Sequence, residues 1–170
     1  MATVASLAVQ ARTMADYNAW MNGKLYDCCA PIPDAERKRD VGAFFKSIHG
    51  TLNHILVADR IWMGRFAGPL FTVKGLDTEL YADFDELRRE REKTDAAISA
   101  WVGKLTDEDL QGTLHYTPIT NPQPRSNPLW LAVTHFFNHQ THHRGQLTTL
   151  LMQRGIDPGV TDLIWLKKDG

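Results

Sequence analysis

The sequence predicts an all-α protein, a four-helix bundle. Four stretches repeat apolar residues every three or four positions, which is the period of an amphipathic helix. Prolines and glycines stand between these stretches and mark their ends. No region carries the period-two alternation of a strand-rich protein. Since four amphipathic helices can bury their apolar faces against one another, we assign residues 1–170 to one bundle domain.

The first two helices follow directly from this periodicity. Apolar positions over residues 7–28 define the first helix, which ends before Pro31. A second stripe over residues 44–66 defines the next helix, and Gly68 with the following proline stops it. Both helices are long enough to contribute a full apolar face to a bundle core.

The last two helices flank an irregular segment. The third helix covers residues 80–105, with acidic residues in its opening turns, where negative charge suits the helix dipole. Residues 112–128 contain four prolines and several turn formers, so we expect at most a short strand or irregular excursion over 113–117. The fourth helix runs from about 129 to 154, and Gly155 is placed to terminate it.

Two connections are longer than a minimal helical hairpin. They cover residues 67–80 and residues 105–129. Either is long enough to cross the bundle, so the periodicity alone leaves the order of the helices open.

The charge balance argues against several classes of partner. Nineteen Lys and Arg residues against 20 Asp and Glu residues give a formal net charge of -1, which supplies no field to attract nucleic acid. No apolar run approaches the roughly 18 residues of a membrane span. Residues 1–12 lack the basic start and apolar stretch of a secretory signal. We therefore expect a cytoplasmic protein that contacts neither nucleic acid nor membrane.

The two cysteines, Cys28 and Cys29, are neighbours in the chain. A disulfide between adjacent residues is strained, so the sequence predicts two reduced thiols near the end of the first helix. Metal binding by cysteine would need a spacing such as Cys-x-x-Cys, which the sequence lacks. These thiols are interpreted as small apolar side chains.

Each apolar stripe is interrupted by at least one polar residue. The interruptions are Asn18, His54, Arg91 with Thr94, and the histidines of the fourth helix. A buried polar group costs free energy unless it is paired, so repeated interruptions indicate a shared polar site inside the bundle.

Histidine is concentrated in the fourth helix, where four of the seven histidines lie within nine residues. His139 and His143 are four residues apart, so their imidazoles project from the same side of a helix and can share one metal ion. His135 precedes His139 by the same interval, and His142 lies close to that face, so spacing alone does not select the pair. Gln140 stands where a metalloprotease His-Glu-x-x-His motif has glutamate, which argues against that activity.

These features resemble the DinB family of metal-binding helical bundles, also described as DinB/YfiT-like. The resemblance covers nearly the whole chain and lies in segments 17–22, 51–62 and 138–146. It implies a four-helix bundle with a long crossover, commonly a homodimer. It also implies one divalent ion, zinc or nickel, held by His54 of the second helix with His139 and His143 of the fourth. Related bundles include thiol-dependent S-transferases and an isomerase that uses a low-molecular-weight thiol.

Three imidazoles leave a tetrahedral ion with one open position for water or substrate. We therefore expect a metal-dependent enzyme of the thiol S-transferase or hydrolase type that acts on a small molecule, with a low-molecular-weight thiol as a cosubstrate of the transferase. The alternative is a non-catalytic metal-binding, storage or stress-response module. For Asp59 we favour an ion pair, and for Arg91 a solvated side chain whose stem covers the core. Candidates for the surroundings of the ligands are Asn18, Asn22, Asp59, His135, His142 and Gln146.

Overall fold

A computed structural model describes residues 6–166, and helices account for most of them. Four long helices form the bundle, two short helices and a two-stranded hairpin lie in the connections, and a 3-10 turn follows the last helix. In chain order the elements are α1 (Leu7–Cys29), α2 (Asp34–Lys38), α3 (Ile48–Ala67), α4 (Phe84–Val102), α5 (Asp107–Leu110), β1 (Thr113–Tyr116), β2 (Arg125–Pro128), α6 (Leu129–Met152) and the 3-10 turn Leu163–Trp165. The all-α prediction is confirmed.

Side-chain caps decide where α3 and α4 begin. The Ser47 hydroxyl accepts a hydrogen bond from the Gly50 amide, and the Asp83 carboxylate accepts one from the Glu86 amide. Each cap satisfies a backbone donor that the first helical turn leaves free. The predicted starts at residues 44 and 80 were therefore too early, because periodicity extended each stripe through the residues before its cap. Phe44 is instead 83% exposed.

The long helices pack in a closed square. α1 packs on α4 and α6, and α3 packs on the same two helices, so α1 and α3 occupy opposite corners. Asp59 of α3 pairs with Arg91 of α4, and Phe66 of α3 stacks on Trp101 of α4. Residue numbers increase along both helices from the first contact to the second, so α3 and α4 are parallel neighbours. Residues 68–83 must run back along the bundle to connect them, which confirms the predicted long crossover.

The second half of the crossover is hydrogen-bonded to the first half of α3. The Asn53 side-chain oxygen accepts a hydrogen bond of 2.8 Å from the Leu80 amide, and the Leu76 carbonyl lies 2.8 Å from Nδ1 of His54. This segment therefore covers the face of α3 that carries His54.

The other two connections join helices at opposite corners. Residues 103–128 link α4 to α6 and contain α5 and an antiparallel hairpin in which Thr113 pairs with Pro128. The short strand expected at 113–117 corresponds to β1. Residues 30–47 link α1 to α3 and contain α2, a crossing that the sequence periodicity did not indicate.

The interior has two apolar clusters separated by a buried polar layer. The first cluster includes Leu25, Leu52 and Leu87, and the second includes Ala11, Ile98 and Phe136. Seven polar side chains on the four helices lie between the clusters and are buried: Asn18, Asn22, Asp59, Arg91, Asp95, Gln140 and Arg144. We call these seven residues the polar layer.

Two further sequence expectations concern the cysteines and membrane spans. Cys28 and Cys29 are unbridged, as predicted, and burial raises the pKa of the Cys29 thiol to about 12. That thiol therefore stays protonated, as a small buried side chain should. Of the helices within residues 6–166, none combines the length and apolar character needed to cross a bilayer.

Candidate metal centre

Three imidazoles converge between α3 and α6. Nε2 of His143 lies 3.2 Å from Nε2 of His54 and 3.1 Å from Nε2 of His139. One ligand atom from each residue lies within 4.8 Å of the other two. The structure therefore brings together the residues that family resemblance selected: His139 and His143 one turn apart on α6, and His54 on the helix packed against them.

Hydrogen bonds set the tautomers of two of these imidazoles. Nδ1 of His54 donates to the Leu76 carbonyl oxygen, and Nδ1 of His143 donates to the Gln146 side-chain oxygen, each over 2.8 Å. A neutral imidazole that carries its proton on Nδ1 has a lone pair on Nε2. The facing Nε2 atoms of His54 and His143 are therefore both acceptors, and a cation could lie between them.

The separations fit such a cation. Zinc binds imidazole nitrogen at about 2.0 to 2.1 Å, so two ligands on a tetrahedral ion lie roughly 3.4 Å apart. The observed 3.1 and 3.2 Å between Nε2 atoms are close to that distance. Ligand imidazoles commonly donate their other nitrogen to a carbonyl or side-chain oxygen, as His54 and His143 do.

Burial keeps these imidazoles neutral. It lowers the pKa of His54 to about 4 and that of His139 to about 3, and the neighbouring imidazoles lower the latter further. Burial likewise lowers the pKa of His143 below its usual value. Near pH 7 all three rings are therefore in the form that donates a lone pair to a metal ion.

Phe45 supports the centre from the segment that precedes α3. Its ring stacks on the His54 ring with centroids 3.7 Å apart and meets the His143 ring edge-on at 5.4 Å. A Cβ atom at Gly50 would collide with the Phe45 carbonyl oxygen, so glycine is needed where this segment passes over α3. The sequence analysis did not single out Phe45. Its only signal was the adjacent aromatic pair before the Ser47 cap.

Three of the predicted surrounding residues lie next to the imidazole cluster. Gln146 contacts His143 directly and also approaches Nε2 of His142 at 3.4 Å. His142 is exposed, and its ring meets the His143 ring edge-on at 4.8 Å. The His135 ring lies 5.9 Å from that of His139. Of these three residues, Gln146 alone makes a hydrogen bond that orients one of the clustered imidazoles.

The other predicted surrounding residues belong to the polar layer. Asn18 and Asn22 donate to the Asp95 carboxylate over 2.9 and 3.0 Å. Asp59 accepts hydrogen bonds from Arg91 at 2.5 Å and from Gln140 at 2.8 Å, so it is the ion-pair partner that the sequence analysis favoured. The shared polar site inferred from the interrupted stripes is therefore two sites, a histidine cluster and the polar layer.

The expectation of a solvated Arg91 was wrong. Its side chain is 2% exposed and pairs with Asp59 across the helix interface and with Asp95 one turn along α4, at 2.5 and 2.8 Å. Two buried carboxylates compensate the charge, which an isolated helical stripe could not reveal.

A cleft of about 210 Å³ opens beside the imidazoles of His54 and His139. Its walls combine the α3 face that follows His54 with the segment after β1. Apolar and aromatic side chains predominate, among them Ala58, Ile61, Trp62, Leu76 and Ile119. A small molecule bound there would reach the histidine cluster.

The model of the DinB family matches residues 2–169 of this chain. The chain belongs to the DinB family. This DinB family member is 24% identical over 151 residues to Protein DinB of Bacillus subtilis (strain 168), and the alignment covers 86% of this chain and 87% of that protein. The crystal structure of a DinB-like protein from Bacillus cereus ATCC 10987 matches with a TM-score of 0.65 and 21% identity, covering 85% of this chain and 91% of that one. The structural likeness shows a shared fold.

Proposed function

We propose that this DinB family protein binds one divalent transition metal ion, zinc or nickel, through His54, His139 and His143. We propose further that it is a metal-dependent enzyme of the thiol S-transferase or hydrolase type. The proposal rests on the geometry of His54 and His143. Their Nε2 atoms lie 3.2 Å apart, and the Nδ1 atom of each ring donates a hydrogen bond to an oxygen. Neutral imidazole donors suit either metal.

The residues of such a site would have two roles, metal binding and orientation of the ligands. The three imidazoles supply neutral nitrogen ligands, while Leu76 and Gln146 hold two of the rings in the ligating tautomer. An ion held by three imidazoles with one open position would lower the pKa of a bound water or thiol, making hydroxide or thiolate available near neutral pH. The apolar cleft beside His54 and His139 would hold the small-molecule substrate and exclude water from it.

The proposed setting is a homodimer of one-domain chains, residues 1–170, in the cytoplasm. The net charge of -1 supports a role without nucleic acid. Leu7, Trp130 and Leu131, near the starts of α1 and α6, are each at least 40% exposed and could form an apolar interface. Light scattering at micromolar concentration should report twice the chain mass, and a stable monomer over that range would contradict the dimer.

Turnover tests the enzymatic proposal. Zinc-loaded and nickel-loaded protein would be incubated with low-molecular-weight thiols and electrophilic acceptors, and separately with activated esters. We expect turnover in one of these series, and we expect it to be lost in His143→Ala and kept in the neighbouring His142→Ala control.

The opposite result would support the alternative, a non-catalytic binding, storage or stress-response module. If every metal and substrate combination is inactive while metal removal lowers the thermal midpoint, the ion is structural and the enzyme proposal fails.

A further inference from the structure

Among the described residues that line the cleft beside the histidine cluster is one arginine, Arg65. Arg65, on α3, places its guanidinium 4.5 Å from the centre of the Trp62 ring and 4.8 Å from the centre of the Tyr116 ring. The two aromatic rings hold the planar cation while leaving its N–H groups free to bind oxygen. The same cleft is lined by His54 and His139.

Arg65 is short of hydrogen-bond acceptors. Within residues 6–166, no carboxylate pairs with it, and its one recorded hydrogen bond is a long contact of 3.5 Å to the Thr117 carbonyl. Arg60, five residues earlier on α3, instead pairs with Glu90 at 2.5 Å. Of the described residues that line the cleft, none is acidic. A bound anion would therefore meet a cation that lacks a partner of its own.

Partial burial makes this cation a favourable site for an anion. Desolvation lowers the pKa of Arg65 below its usual value, a sign that the protein compensates its charge poorly. A charge-assisted hydrogen bond to a carboxylate would supply the missing partner. One guanidinium provides one positive charge, which matches a monoanionic carboxylate better than a dianionic phosphate.

The position of Arg65 also limits the length of the ligand. Eleven residues separate it from His54, which is three helical turns on nearly the same face and about 16 Å of rise. Side chains lean toward the helix N-terminus, which brings the guanidinium back toward the histidines. Ala58, Ile61 and Trp62 line the interval, so the middle of the ligand meets apolar side chains.

We propose that Arg65 binds the carboxylate of an elongated substrate or cosubstrate whose reacting end lies at the histidine cluster. The placement of the ligand's reacting end rests on the proposed function. The placement of its carboxylate end rests on Arg65 and the cleft. The ligand class is a monocarboxylic acid with an uncharged, largely apolar chain between its two ends.

The carboxylate end is tested first in metal-free protein, with octanoate as the probe and octanamide as its neutral counterpart. Titration followed by nuclear magnetic resonance of the arginine Nε–H signals should show octanoate binding about tenfold or more tightly than octanamide, with the Arg65 signal shifting. Arg65→Gln should abolish this preference, and Arg65→Lys should keep part of it. Arg88→Gln is the control, because Arg88 pairs with Asp27 and Glu92 on another face. An equal preference in Arg65→Gln and wild type overturns the proposal.

A second experiment tests whether one ligand can span the distance from Arg65 to the histidine cluster. It uses cobalt-loaded protein with mercaptopropionate, mercaptohexanoate and mercaptooctanoate and with their amides. The thiolate absorption band should appear with all thiols, and the preference for carboxylate over amide should grow with chain length only where Arg65 is present. If octanoate depends on Arg65 but no thiol gives the band, the carboxylate site stands and the thiol function fails. If thiols bind with the same carboxylate preference in Arg65→Gln, the thiol function stands and the carboxylate site fails.

Discussion

Replacing Asp59 by alanine should destabilise the fold without weakening metal binding. Asp59 is 1% exposed and accepts hydrogen bonds from Arg91 and Gln140, which are equally inaccessible. Removing its carboxylate leaves the buried Arg91 with Asp95 as its one carboxylate partner and leaves the Gln140 amide without its acceptor. Breaking a buried ion pair costs about 3–5 kcal/mol, which is a large part of the 5–15 kcal/mol of a typical domain.

Urea unfolding of metal-free protein, followed by circular dichroism, measures this change in the free energy of unfolding. Asp59→Asn keeps an acceptor for Gln140 but removes the charge, so we expect an intermediate loss. Asp16→Ala is the matched control, since Asp16 is exposed on α1 and its loss should cost less than about 0.5 kcal/mol.

Zinc affinity of the folded variant, measured by chelator competition, separates this structural role from a role around the metal. Loss of an outer hydrogen bond to a ligand typically weakens affinity by about 10- to 100-fold. Because the Asp59 carboxylate accepts hydrogen bonds from Arg91 and Gln140 rather than from a clustered histidine, we expect zinc affinity within a few-fold of wild type. A loss of stability below about 1 kcal/mol, or a tenfold weaker zinc affinity in folded Asp59→Asn, would refute the reasoning.

Three further predictions concern the histidine cluster. Alanine at His54, His139 or His143 should each strongly reduce metal content after matched dialysis, whereas His142→Ala should retain most of it; equal losses at His142 and His143 would overturn the ligand assignment. Gln146→Ala should weaken zinc affinity by about 10- to 100-fold with little change in fold, because His143 loses its Nδ1 acceptor; an unchanged affinity would show that this hydrogen bond does not orient the ligand. In metal-free protein, the pKa of His54 is about 4 in the folded state, against 6.5 as the ordinary value. Between these two pH values folding therefore releases a proton from His54. The contribution of neutral His54 to stability is complete above pH 6.5 and is lost as the pH falls toward 4. The free energy of unfolding should fall by about 1.4 kcal/mol per pH unit for this group as pH drops from 6.5 toward 4, and a His54→Gln variant with an undiminished slope would contradict the assignment.

Local features of the chain predict the long helices and show that histidines on the fourth helix can share a face. Helical periodicity and His-x-x-x-His spacing depend only on the geometry of a single helix, so the long helices and the shared face of His139 and His143 are readable directly. Spacing did not distinguish His135 or His142 from the pair. The choice of His139 and His143, with His54 as the third member, came from family resemblance, and the structure places all three together.

Contacts between helices depend on the topology of the bundle, and the spacing of residues along one helix does not predict that topology. The long crossover makes α3 and α4 parallel, which sets Asp59 opposite Arg91 and buries an arginine that its own helix suggested was solvated. The crossover also brings the Leu76 carbonyl to His54, a contact between residues 22 positions apart that the sequence did not indicate.

The sequence by itself therefore determined the helical class and a group of histidines at helical spacing on the fourth helix, because both follow from the 3.6-residue period of one helix. The tertiary structure alone separated the interrupted stripes into a histidine cluster and a polar layer. It also left Arg65 beside the cleft with no carboxylate partner among residues 6–166, and it decided which Nε2 atoms face one another. These outcomes depend on how far helices are offset along the bundle, a quantity set jointly by packing, caps and connections rather than by any local pattern.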